Sequence, residues 1–133
     1  MFKSFYTENT ASTGMLLIAA LSCLLHVAAL LGWVNPDYLQ GGRSTPQNFI
    51  QLETGALTIN VVILLAVLWR AGRLPRPMPT RAAKLIFGLL ALLFCLNTFG
   101  NLFAKTWVET LVFTPLTALS ALWSFRLSGL FQR

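Results

Sequence analysis

Acids are scarce in this chain. Glu8, Asp37, Glu53 and Glu109 are its only four among 133 residues, His26 is its single histidine, and charged residues make up just 11%. With 56% hydrophobic residues and a mean hydropathy of +0.67, the sequence carries more apolar surface than a soluble domain of this length can bury, so lipid is the solvent for most of it. Two cysteines, Cys23 and Cys95, both lie deep in apolar runs and leave no disulfide framework from which to read a compartment. Catalytic signatures are missing as well. There is no G-x-S-x-G, no H-E-x-x-H, no phosphate-cradling glycine loop and no Asp/His pair within an apolar run. The expectation is a protein that is not an enzyme and has no cofactor.

What is present is apolar length, divided into four runs by three interruptions. The expected class is an all-α integral membrane protein with four transmembrane helices in a compact antiparallel bundle, one domain over residues 1–133. The spans are read at 14–34, 50–70, 82–104 and 107–127. Each reaches the roughly 20 residues needed to cross a hydrocarbon core. The opening residues, rich in Thr and Ser, read as a short interfacial or frayed segment. The first run is too long for a signal-peptide core and is taken as a retained helix. Asn35-Pro36 is expected to end it, Thr45-Pro46 to open the second helix, and the prolines after Arg70 to stop that helix. Thr106 to Glu109 has the T-x-x-E pattern of a capping box, so the reversal between the last two spans is very short.

The net charge of +6 would suggest nucleic acid in a soluble protein. Here the bases flank apolar spans, and no nucleic-acid site is expected. Arg70, Arg73, Arg76, Arg81 and Lys84 gather in the loop over residues 70–84, whereas the other two loops hold only Arg43 and Lys105. By the positive-inside rule the 70–84 loop and both termini are cytoplasmic, with the loop set against anionic lipid headgroups. The tryptophans fit that orientation, Trp33 and Trp107 at the outer interface, Trp69 and Trp123 at the inner one. A plasma membrane or bacterial inner membrane is the expected location.

Polar residues then sort by depth. His26, Asn60, Asn97 and Thr114 fall near the midplane toward the outer side, with Glu53, Asn101, Lys105 and Glu109 in a layer above them. The inner half reads as nearly pure Leu, Ile, Val, Phe and Ala. Glu53, Asn97, Asn101, His26, Asn60 and Glu109 are therefore the candidate solute or ion ligands, since such groups are costly in lipid without a use. Each also has a structural reading. Asn97 and Asn101 can serve as interhelical hydrogen-bonding glue, Glu109 as a cap, and Glu53 as the partner of Lys105 or Arg43. Thr114-Pro115 is expected to break the fourth helix, a device that binds substrates in some transporters and is an ordinary kink elsewhere.

Cys23, His26 and Cys95 are weak candidates for a soft-metal site, with no fourth ligand in view. The segments Glu53 to Thr58 and Glu109 to Thr114 share E-T-x-x-x-T, an echo that raises a duplication of the two hairpins. Small residues at Ala19, Cys23, Gly88, Ala91, Cys95, Thr114, Ala118 and Ala121 mark expected helix contacts. The leading functional expectation is a small transporter, channel or solute-binding protein, with a homo-oligomer or other membrane subunits as partners. The alternatives are a noncatalytic subunit or assembly factor of a larger complex, and an intramembrane metal- or haem-binding redox protein.

Overall fold

A computed structural model of the chain describes residues 6–39, 45 and 47–130. Among these residues the protein is all-helical, without a strand, and four helices are long and apolar enough to cross a membrane. We number them α1 (Glu8–Leu30), α2 (Phe49–Arg70), α3 (Thr80–Leu102) and α4 (Glu109–Ser128).

Helix α1 begins six residues before the expected 14. Thr7 is its N-cap, with the side chain accepting from the Thr10 amide at 3.1 Å, and Glu8 sits in the first turn where the helix dipole favours an acid. Residues 8–13 of the polar opening are thus helix rather than a frayed tail, because cap chemistry outweighs their low hydropathy, and residues 1–5 lie outside the described residues. The helix stops at Leu30, not at Asn35-Pro36. Gly32, at φ 76°, donates to the Ala29 carbonyl and Trp33 to that of Ala28, a Schellman closure. Gly72, at φ 70°, ends α2 in the same way, with Arg73 donating to Leu68. The glycine therefore acts before the prolines that follow it.

Asn35-Pro36 instead opens a short 3₁₀ turn, Pro36–Tyr38, in which the Asn35 side chain accepts from the Asp37 amide at 3.0 Å. Helix α2 starts at Phe49, after Asn48 has accepted the Thr45 amide at 2.7 Å. Pro46 and Arg43 lie outside the described residues, as do Lys3 and Arg133.

Neighbours in sequence pack together, α1 with α2 and α3 with α4, and α1 also packs along α4; contacts between α2 and α3 are sparse. Near-full burial falls on Ala11, Met15, Ala19, Val67, Phe87 and Leu127. Small residues set the closest approach of α1 to α4: a Cβ placed on Gly14 would collide with the Trp123 ring. Opposite it, Ser120, Ser124 and Ser128, spaced four apart, form a buried face of α4. Two expected contact residues do not serve that role, since Cys95 is exposed and Cys23 only half-buried.

Serine is cheap to bury here because each hydroxyl finds a partner. Ser120 donates to the Leu116 carbonyl, Ser128 to that of Phe125, and Ser124 meets the Met15 sulfur. Arg70, at the end of α2, donates through Nε to the Leu127 carbonyl at 2.9 Å and pairs through Nη1 with Glu8 at 2.5 Å. One side chain thereby ties the start of α1 and the end of α4 to the end of α2. The expectation of a purely apolar half at this end is corrected: small residues and a helix-end ion pair sit there, which hydropathy averages conceal.

Candidate functional site

Antiparallel pairing of α1 and α2 brings the last turns of one beside the first turns of the other. His26, four residues before the end of α1, meets Glu53, four residues after the start of α2. Nδ1 and Oε2 are 2.6 Å apart, with the Glu53 side chain fully buried and that of His26 only 14% exposed. Glu53 lies past the first turn, so it does not cap α2; its carboxylate is turned onto α1. A proton shared with Glu53 commits Nδ1 and leaves Nε2 as the ring nitrogen available to other groups.

Those groups line a cavity of about 380 Å³ to which all four helices contribute. His26 comes from α1, Asn60 from α2, Asn97 and Asn101 from α3, and Glu109 from α4. Leu25, Ile59, Phe94 and Phe113 supply apolar wall. Among the described residues no Lys or Arg lines it.

Individual roles divide along lines that spacing alone left open. Asn101 bonds Thr117 Oγ1 at 3.4 Å, and Thr98 bonds the same oxygen at 3.0 Å, so Asn101 joins α3 to α4. Asn97, one turn away, is exposed, lines the cavity and makes no hydrogen bond among the described residues. An exposed carboxamide on an apolar helix takes its hydrogen bonds from whatever surrounds it, whether water, a solute or another chain. Asn60 donates to the Ala56 carbonyl at 2.9 Å, which leaves its own side-chain oxygen for the cavity.

Glu109 is 6% exposed. The Thr106 hydroxyl donates to its Oε2 at 2.7 Å and accepts its backbone amide at 3.4 Å. The expected capping box is present in altered form, with the acid bound to the hydroxyl of the cap residue. Helix α4 does not end at Thr114-Pro115; the expected break falls there as an interruption of α geometry. Residues Glu109–Phe113 form a π-helical turn in which the Thr114 amide and hydroxyl both bond the Glu109 carbonyl, the hydroxyl at 3.2 Å. Proline lacks a donor and crowds the preceding turn, and widening that turn absorbs the extra bulk without severing the helix.

Two sequence expectations are not assembled. Among the described residues no three of His, Cys, Asp and Glu come together in a way that could hold a metal ion, so Cys23, His26 and Cys95 form no joint ligand set. Lys105 is exposed and makes no ion pair among the described residues, so it is not the partner of Glu53. Five of the residues singled out by depth, His26, Asn60, Asn97, Asn101 and Glu109, line the cavity, but sequence reasoning did not find the His26–Glu53 pair, nor Ser22 and Ser120 in the lining. His26 had been placed near the midplane and Glu53 in the layer above it, so their adjacent depths were the one available signal. Thr117 was also missed, although it follows Thr114 by three residues and so shares its face.

The echoed acids Glu53 and Glu109 are both buried, but in unlike settings. Thr58 bonds back to the Thr54 carbonyl, four residues earlier, whereas Thr114 bonds five residues back.

No family model matches this chain, and neither the curated proteins nor the solved structures yield a match.

Proposed function

We propose that this chain is a small solute-binding membrane protein of the transporter or channel class, in which His26, Asn60, Asn97, Asn101 and Glu109 receive the solute. The four helices form an antiparallel bundle with both termini and the 70–84 loop cytoplasmic, so the cavity opens toward the outer side of a plasma or bacterial inner membrane. Homo-oligomers complete the pathway, because four helices enclose little volume. One observation carries the reading: Asn97 lines the cavity without a hydrogen bond among the described residues. The cavity's volume, about 380 Å³, lies in the range of small-molecule sites.

The competing reading is a noncatalytic subunit or assembly factor. It draws on Thr98, Asn101 and Thr117, which bond α3 to α4 and need no solute. The metal-binding form of the redox alternative gains no support from Cys23, His26 and Cys95, which form no joint ligand set among the described residues.

Thiol accessibility separates the two survivors. In a chain with Cys23 and Cys95 replaced, Asn97→Cys is treated from outside with a membrane-impermeant thiol reagent, with Arg43→Cys as the control. Labelling of both supports a water-filled solute site. Protection of Asn97→Cys while the control labels assigns the polar layer to subunit packing.

A further inference from the structure

At the opposite end of the helices lies a second cavity, of about 390 Å³, bounded by the first three turns of α1 and the end of α2. Its polar lining is Ser12, Thr13 and Asn9 from α1 with Arg70 and Arg73, and Glu8 at one edge. We propose that this cavity binds a phosphate group, carried by the headgroup of an anionic lipid or by a soluble phosphate.

Charge is the first support. Arg70 and Arg73 face a single acid, Glu8, so the lining keeps one net positive charge even while Arg70 is paired. Arginine offers a planar fork of donors that matches phosphate oxygens, which a diffuse basic surface does not. Ser12 is the second support. It is only 7% exposed, lines the cavity, and makes no hydrogen bond among the described residues. Its hydroxyl oxygen is not a sealed, unsatisfied atom: it opens to the cavity beside two arginines, where it can donate to an oxygen of a bound anion.

Depth is the third. Arg70 closes an apolar helix beside Trp69, a residue type that favours the headgroup level, and Trp69 Nε1 donates to the Arg76 carbonyl, folding the basic loop back toward the helix ends. Arg81 and Lys84 belong to the same basic segment but do not line the cavity. A general attraction to anionic surface draws on all of these residues, whereas a discrete site draws on Arg73 and Ser12.

Purified full-length protein in neutral detergent is titrated with dioctanoyl phosphatidylglycerol, with dioctanoyl glycerol and with inorganic phosphate, and bound ligand is counted by native mass spectrometry. The expected result is saturable retention of one phosphatidylglycerol per protomer and none of dioctanoyl glycerol. Loss of one charged hydrogen bond in Arg73→Gln weakens retention about tenfold. Ser12→Ala weakens it less, and Arg81→Gln, an equal loss of charge, leaves it unchanged. Saturable binding of inorganic phosphate with the same dependence on Arg73, without lipid retention, keeps the site and assigns it to a soluble phosphate. Equal weakening by Arg73→Gln and Arg81→Gln, or no saturable binding of either probe, overturns the proposal.

Discussion

His26 of α1 and Glu53 of α2 share a 2.6 Å contact that fastens the two helices where one ends and the other begins. Neither group stays in apolar surroundings cheaply by itself, and removing one partner takes this contact from the other.

The pair therefore sets a testable energy. His26→Leu and Glu53→Leu should each lower stability by about 3 kcal/mol, because a buried polar or charged group loses its partner. The double variant His26→Leu/Glu53→Leu should recover most of that loss, since an apolar pair carries no desolvation cost. Unfolding of the four proteins in one detergent measures the coupling; strictly additive losses would show that the contact contributes nothing.

Gly14 tests the α1–α4 seam. Gly14→Ala pushes a methyl group into the Trp123 ring and should destabilise by about 1–3 kcal/mol. Combining it with Trp123→Leu should cost less than the sum of the single changes. Thermal midpoints of the three variants read this directly, and a harmless Gly14→Ala would mean that the two helices sit farther apart.

Pro115→Ala restores a backbone donor and removes the ring that widens the preceding turn. The segment 109–113 should revert to α geometry, and backbone amide exchange over 111–118 should slow. Dropping the extra residue of the turn rotates Glu109 by about 100° relative to the rest of α4, taking its carboxyl off the cavity. Exchange rates identical to those of the parent protein would mean that proline does not cause the wide turn.

Topology follows from charge placement. In intact cells Arg43→Cys should label with an impermeant thiol reagent, and Arg76→Cys only after the membrane is opened. The reverse pattern would turn the first cavity toward the cytoplasm and the arginine-lined one outward.

Apolar length made the four helices legible, because no other arrangement satisfies so many consecutive hydrophobic residues. Their ends were less so. Hydropathy placed the start of α1 at Gly14, while Thr7 and Glu8 start it through a local hydrogen bond and a dipole. Depth along the chain sorted His26, Asn60 and Asn97 near the midplane and Asn101 and Glu109 in a layer above them, since rise per residue converts directly into height. It carried no information on azimuth, so it did not distinguish Asn101, bonded to Thr117, from Asn97, one turn away and facing the cavity. Glu8 and Arg70 were hidden for another reason. They lie 62 positions apart at the ends of two helices, and only the antiparallel pairing brings them together.

The sparse contact between α2 and α3 has a mechanical consequence. The α1–α2 hairpin is pinned at both ends, by His26–Glu53 and by Arg70–Glu8, and so behaves as one stiff plate. The α3–α4 hairpin is a second plate, and the line where α1 lies along α4 is the spine that joins them. A small rotation about that spine would leave both pins intact and part the free edges of α2 and α3, the helices that contribute Asn60 and Asn97 to the cavity wall.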